Sequence, residues 1–168
     1  MDMRTVFAAA TMAMTAAGAS GVQAQSTIVR HGAQAASPIL TGVIVPAGAE
    51  TFYLSGQVPP VADATADPQT AAAYGDTKTQ AIGIFRKIEA LLKAQGYDLT
   101  DVVKLTVFLV GDPALGGKQD FKGFSDAYAQ FFGTAAQPNK VARSTVQVAA
   151  LANAGFLVEI EATAVKVR

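Results

Sequence analysis

The sequence contains no cysteine, no tryptophan and only one histidine, His31. Without cysteine there is no disulfide, no thiolate metal site and no cysteine nucleophile. A single histidine supplies neither a two-histidine metal site nor a Ser-His-Asp triad with a well-placed base, so we interpret His31 as a surface residue. We therefore expect no metal site in this chain.

The sequence also lacks an excess of positive or negative charge. Thirteen basic residues balance thirteen acidic ones, so the formal net charge is zero. A chain without net positive charge lacks the excess of basic residues that attracts a polyanion. We therefore expect neither a nucleic-acid partner nor attraction to anionic lipid. The length of 168 residues is that of one ordinary domain.

The first two dozen residues have the features of a secretory signal peptide. Arg4 supplies the positive start, residues 6–17 are largely apolar, and Val22-Gln23-Ala24 is a small-residue cleavage pattern. We expect cleavage after Ala24, which leaves residues 25–168 as a single domain, periplasmic or secreted and with no membrane attachment. The alternative is a weakly amphipathic N-terminal helix, because the stretch is too short and alanine-rich to span a bilayer.

The first part of the remaining chain is strand-like. Three short apolar segments, 28–29, 42–45 and 52–54, are separated by Pro and Gly turn signals. The following segment, 58–73, is rich in Pro, Ala and Asp without apolar periodicity, which predicts a loop. Its composition leaves open whether the loop is a lid or a surface excursion.

Helical periodicity then begins near Asp76 and continues to a stop at Gly96. Residues 101–110 are apolar on both faces, as in a central strand. A second predicted helix carries an aromatic stripe that we interpret as core: Phe121, Phe124, Tyr128, Phe131 and Phe132.

The chain ends in two predicted strands, 142–149 and 156–166, each with a core face and a polar face. The order of elements predicts an α+β sandwich of one sheet with two helices on one side. Leu157 and Val165 are expected on the uncovered side beside charged residues, so oligomerisation is the simplest way to cover it.

Three charged residues on these two strands form the strongest local constellation: Arg143, Glu159 and Glu161, all expected on polar faces. A guanidinium binds a carboxylate bidentately, and a carboxylate can orient or deprotonate water. The alternative is a cross-strand ion pair on a solvated face, worth roughly 0.2–1 kcal/mol. Spacing alone does not decide between them.

Several segments together resemble the RidA/YjgF family of enamine/imine deaminases, also named endoribonuclease L-PSP. The segments that carry the resemblance are Leu54-Ser55-Gly56-Gln57-Val58-Pro59, Gln80 with its helix, 102–109, Tyr128 with Phe131-Phe132, Ala142-Arg143-Ser144-Thr145-Val146-Gln147-Val148 and Val158-Glu159-Ile160-Glu161-Ala162. Each segment alone is weak, but their order and spacing together are specific to the family.

The resemblance implies a chorismate-mutase-like α+β fold, with one mixed sheet of about six strands, two helices and a homotrimer with pockets between subunits. It places Arg143 on the substrate carboxylate and Glu159 on the attacking water, with Ser55 and Gly56 lining the pocket. The family reaction converts 2-aminoacrylate, through 2-iminopropanoate, into pyruvate and ammonia without metal or organic cofactor.

The sequence also departs from the family pattern within the expected pocket. Ile39 replaces a common tyrosine, Thr145 a common cysteine and Ser125 an asparagine, while the loop after Gln57 is longer than usual. We expect Ile39 and Thr145, with Tyr128, to complete the substrate-binding pocket. These changes affect the walls of the pocket and leave the arginine intact.

Three functions therefore follow from the sequence. The first is hydrolysis of a small 2-imino acid to its 2-keto acid, and the second is non-catalytic binding of a small carboxylate in the same pocket. The third is a ribonuclease or translation inhibitor, which the neutral charge, the absent histidine pair and the signal peptide oppose.

The signal-peptide interpretation makes a direct prediction. Protein expressed from the full sequence in a Gram-negative host is expected in the periplasm with an N-terminus near Gln25. N-terminal sequencing of the periplasmic fraction measures it. Full-length protein confined to the cytosol would show that the N-terminal segment is not a signal peptide.

Overall fold

The computed structural model describes residues 27–32, 34 and 36–167, so the expected signal peptide lies outside the described residues. Six strands and two α-helices follow one another in the predicted order. They are β1 (Val29–His31), β2 (Gly42–Ile44), β3 (Glu50–Gln57), α1 (Thr77–Ala94), β4 (Val102–Val110), α2 (Phe121–Tyr128), β5 (Ala142–Val148) and β6 (Val158–Lys166). The α+β class is confirmed.

The strands form a four-stranded mixed sheet and a separate two-stranded ladder. The larger sheet has the order β3-β6-β4-β5, in which only β4 and β5 are parallel, while β1 pairs with β2. The prediction of a single sheet of about six strands is therefore wrong, because the six strands are divided between these two sheets. An isolated parallel bridge between Leu40 and Ala142 connects the region of the small ladder to β5. Pro38, which has no N–H donor, precedes that bridge and cannot extend the pairing.

Helix α1 has the bounds that its capping residues dictate. Asp76 is its N-cap, and the carboxylate of Asp76 accepts a hydrogen bond from the backbone N–H of Thr79. Gly96, with φ of 77°, follows the last turn in the left-handed region, where glycine is favoured. The buried face of α1 packs on the sheet with residues that include Ile84, Phe85 and Ile88.

Strand β4 is the buried centre of the larger sheet, as predicted. The side chains of Leu105, Val107 and Leu109 are completely buried on the helix side. The buried amide of Gln80 on α1 donates to the carbonyls of Gly75 and Gly155 and accepts from the N–H of Leu157. These bonds tie the start of α1 to the segment that leads into β6.

The aromatic stripe of α2 is core with one exception. Helix α2 ends at Tyr128, and Phe131 and Phe132 pack from the turn that follows, with ring centroids 5.1 and 5.7 Å from that of Phe85. Phe121 is 46% exposed, so its expected core position is wrong. It is the first residue of α2.

The loop after β3 is packed against α1. The backbone N–H groups of Ala62 and Asp63 both donate to the carbonyl of Ala73, and the Tyr74 ring contacts Phe156 edge-on. Pro60 lies so close to Gly83 that a Cβ there would be 2.8 Å from the proline Cδ. Of the two sequence interpretations, this packing favours the surface excursion.

The sheet face away from the helices exposes apolar side chains, but not the predicted ones. Leu157 is 3% and Val165 is 1% exposed, so both are buried within the protomer. Leu157 lies before β6 begins and joins the helix-side core. The exposed apolar residues on this face are Tyr53, at 76%, and Val146, at 46%.

No helix in the described part of the chain combines the length and apolar character needed to cross a membrane.

Candidate functional site

The order of strands in the sheet separates Arg143 from Glu159. Strand β4 lies between β5 and β6, with Arg143 paired to Leu105 and Glu159 paired to Phe108. Side chains alternate between faces along a strand, so Leu105 and Phe108 point to opposite sides of the sheet. Leu105 is buried beneath the helices. Arg143 therefore lies on the helix side and Glu159 on the other side.

This arrangement contradicts two sequence interpretations. The polar face shared by Arg143 with Glu159 and Glu161 does not exist within one protomer, and no cross-strand ion pair forms between them among the described residues. The local sequence pattern correctly predicted how side chains alternate between the two faces of each strand, but it did not predict the order of the strands in the sheet. Because β4 takes the central position, the last two strands of the chain are not neighbours.

The guanidinium of Arg143 lies over aromatic rings instead of an acid. Its Cζ is 4.5 Å from the ring centroid of Tyr128, 5.0 Å from that of Phe124 and 5.9 Å from that of Phe121. Such contacts stabilise a cation but satisfy none of its N–H donors. Nη1 of Arg143 is buried and has no hydrogen-bond partner. Burial lowers the pKa of Arg143 from its usual value, while the nearby Tyr128 opposes that shift.

A cavity of about 450 Å³ lies beside this guanidinium. It is lined by Ala36, Ser37, Pro38, Ser125, Tyr128, Ala129, Phe132, Gly133, Lys140 and Arg143. The lining contains two basic side chains and no acidic one. Its volume falls in the range of about 300–1,000 Å³ that is typical of small-molecule sites. The cavity is therefore suited to a small anion that can occupy the free donors of Arg143.

Tyr128 is the fixed wall of this cavity. Its hydroxyl donates to the carbonyl of Pro38 at 3.0 Å, and its ring stacks on Phe132 at a centroid distance of 5.0 Å. Burial raises the pKa of the Tyr128 hydroxyl, so it stays protonated and keeps its donor role. Tyr128 thus holds both the guanidinium and the segment around Pro38.

Two other predicted pocket residues, Thr145 and Ile39, do not line the cavity. Thr145 is two positions after Arg143 on β5 and shares its face, and the Oγ1 atom of Thr145 is buried without a hydrogen-bond partner. Ile39 is partly buried and packs against the core instead of lining the cavity. Thr145 therefore offers a second free polar group near Arg143, whereas Ile39 contributes packing.

The remaining predicted residues meet on the opposite face. A Cβ on Gly56 would lie 1.8 Å from Oε1 of Glu159, so only glycine lets this carboxylate rest against β3. The pairing of β3 with β6 shifts register between Leu54 and Gln57, and Ser55 is exposed there. Glu159 forms no hydrogen bond or ion pair with the described residues, which leaves its carboxylate available.

The predicted site residues thus form two groups. Arg143, Tyr128 and Thr145 lie on the helix side, and Ser55, Gly56 and Glu159 lie on the other. Sequence reasoning missed Lys140, which lines the Arg143 cavity from just before β5. Its position three residues before Arg143 was the only available signal. No cluster of three or more potential metal ligands occurs among the described residues.

Comparisons with known proteins agree with this architecture. The model of the family described as Endoribonuclease L-PSP matches residues 41–166. A RutC family protein of Pyrococcus horikoshii is 36% identical over 116 residues, which cover 68% of this chain and 79% of that protein. The 2-iminobutanoate/2-iminopropanoate deaminase of Capra hircus is 38% identical over 117 residues, covering 69% of this chain and 73% of that one.

Among solved structures, the fold is similar to that of E. coli TdcF with bound serine. The TM-score is 0.53 at 32% sequence identity, and the match covers 77% of this chain and 89% of TdcF.

The unpartnered guanidinium makes a stability prediction. We expect Arg143→Met to raise the free energy of unfolding by about 1 kcal/mol, because it removes a buried donor group that nothing satisfies. Arg86→Met, at an exposed position of α1, is the matched control and should change it by less than about 0.5 kcal/mol. Urea denaturation at equal protein concentration measures both. Marked destabilisation by Arg143→Met would mean that the guanidinium is structurally satisfied.

Proposed function

The chain belongs to the endoribonuclease L-PSP family, also known as the RidA/YjgF family, and on this premise we propose that it hydrolyses small 2-imino acids to 2-keto acids and ammonia. One observation supports the proposal most strongly. Arg143 presents a buried Nη1 donor without a partner, next to a cavity whose lining contains no acid. A substrate carboxylate is the group that such a guanidinium binds best.

The relatives support the same substrate class. The goat relative is named a 2-iminobutanoate/2-iminopropanoate deaminase, and the E. coli TdcF structure holds serine, which is itself a small acid with a carboxylate next to its nitrogen-bearing carbon. Both fit a pocket in which an arginine anchors a carboxylate. The reaction needs only water, which adds to the C=N carbon, after which ammonia leaves and the ketone forms.

The proposed roles are divided among three side chains. Arg143 binds the carboxylate and thereby positions the imine carbon. The ring of Tyr128 holds the guanidinium of Arg143 in place. Glu159 orients the attacking water and accepts its proton, which is then available for the departing nitrogen. No cofactor enters this sequence of steps.

Because Glu159 lies on the other face of the sheet in its own protomer, we propose a homotrimer that brings the two groups together. Glu159, with Ser55 and Gly56, would face the Arg143 cavity of a neighbouring copy. Tyr53 and Val146 on the same face would become buried in the interface, which accounts for their exposure in one protomer.

A second function has an observation in its favour. The Arg143 cavity is formed within one protomer and does not include Glu159. The same cavity could therefore serve a protein that binds small carboxylates without turnover. Binding and turnover must be measured separately to distinguish the two functions.

We predict that Arg143→Ala abolishes both ligand binding and turnover, and that Arg143→Lys loses most activity, because an ammonium cannot reproduce the bidentate geometry. Glu159→Gln is expected to keep affinity and to lower the rate by roughly 10²–10⁴-fold, the usual range of general acid–base assistance. The measurements are ammonia or keto-acid release from freshly generated 2-iminobutanoate and 2-iminopropanoate, and calorimetric binding of 2-ketobutyrate.

Arg86→Lys and Glu89→Gln on the surface of α1 are the matched controls and should behave as wild type. If wild type binds 2-ketobutyrate through Arg143 but turns over none of the 2-imino acids tried, the protein is a carboxylate-binding module and the deaminase proposal is wrong.

A further inference from the structure

The cavity beside Arg143 contains a second cation whose position is fixed by the chain. Nζ of Lys140 donates to the carbonyl of Gln34 at 2.9 Å and to the carbonyl of Ser37 at 2.5 Å. An ammonium has three donors, so one N–H of Lys140 remains for a ligand. Lys140 forms no ion pair with any acid among the described residues. The ammonium of Lys140 is therefore held in a fixed position, and no acidic side chain of the described residues neutralises its charge.

Lys140 and Arg143 are close enough to bind one small molecule. They are three residues apart, so their Cα atoms are separated by at most about 10 Å even in fully extended chain. Both line the same cavity of about 450 Å³. A monocarboxylic acid of three or four carbons that binds Arg143 leaves Lys140 without an anion and much of this volume empty.

We infer that the cavity takes a dicarboxylic 2-imino acid of four or five carbons, with the carboxylate beside the imine on Arg143 and the distal carboxylate on Lys140. This inference rests on the proposed function and names its substrate class. The planar fork of Arg143 fixes the reacting end, whereas the point charge of Lys140 tolerates variation at the far end. Addition of water to C=N and loss of ammonia then give the dicarboxylic 2-keto acid.

The structure of the proposed substrate also indicates the class of reaction that produces it. Two-electron oxidation of a 2-amino dicarboxylic acid at its C–N bond gives the corresponding 2-imino acid directly, and among amino acids without a β leaving group it is the route that does so. The reaction that precedes this protein would therefore be an oxidation of an acidic amino acid, with the electrons passed to a separate acceptor.

A structural role for Lys140 predicts a different result. If Lys140 only holds the backbone at Gln34 and Ser37, its loss would weaken all ligands equally, because Pro38 and Tyr128 in the wall would move together. Lys140→Gln separates the two roles. Its amide can still donate to a backbone carbonyl, but it carries no charge.

The test is calorimetric binding of 2-oxoglutarate and 2-ketobutyrate to wild type, Lys140→Gln, Lys140→Met and the exposed control Lys87→Met. We expect wild type and Lys87→Met to bind 2-oxoglutarate about tenfold or more tightly than 2-ketobutyrate. Both Lys140 variants should lose about tenfold or more in affinity for 2-oxoglutarate and less than about threefold for 2-ketobutyrate. Turnover of the imines derived from glutamate and from 2-aminobutyrate should follow the same pattern.

Equal affinity of wild type for the two keto acids, or equal losses for both in the Lys140 variants, would overturn the inference. Turnover of 2-iminobutanoate alone would leave the deaminase proposal intact while this inference fails. Tight 2-oxoglutarate binding that depends on Lys140, without turnover of any imine, would uphold the dicarboxylate site and refute the deaminase.

Discussion

The candidate site depends on one constraint, which is the half-buried guanidinium of Arg143, whose buried Nη1 group has no hydrogen-bond partner. Arg143 lies against the rings of Tyr128 and Phe124, which offset part of its desolvation, but no acid of the described residues forms an ion pair with it and Nη1 has no acceptor among them. A buried polar group without a partner is costly in a protein with only marginal stability. The same fold holds the rings by stacking and the Tyr128 hydroxyl on Pro38, so the cation is kept ready for a ligand.

The local patterns of the sequence predicted the elements well but not how the strands pair. The periodicity from Asp76 to Gly96 and the two-sided apolar run at 102–110 correspond to α1 and β4 because burial on a helix face or in a central strand is recorded in local spacing. Strand order is a non-local property. The last two strands are separated by β4, and the register of each strand with β4 places Arg143 and Glu159 on opposite faces of the sheet.

The site residues were predicted from family resemblance more than from physical pattern. Arg143 and Tyr128 do lie together, and Thr145 shares the face of Arg143 on β5. Lys140 escaped prediction because it enters the cavity through bonds to Gln34 and Ser37, which are distant in sequence. Leu157 was misplaced because β6 begins at Val158, two residues later than the predicted strand, so Leu157 precedes the strand and is buried.

The central claim is that catalysis joins Arg143 of one copy to Glu159 of the next. Subunit complementation tests it most directly: Arg143→Ala and Glu159→Gln proteins, each inactive alone, are unfolded together in equal amounts and refolded. If the site is shared in a trimer, mixed assemblies regain one intact site each, and about one quarter of wild-type imine hydrolysis should return. No recovery, from a mixture shown by native mass spectrometry to contain both variants in one assembly, would contradict a site shared between copies.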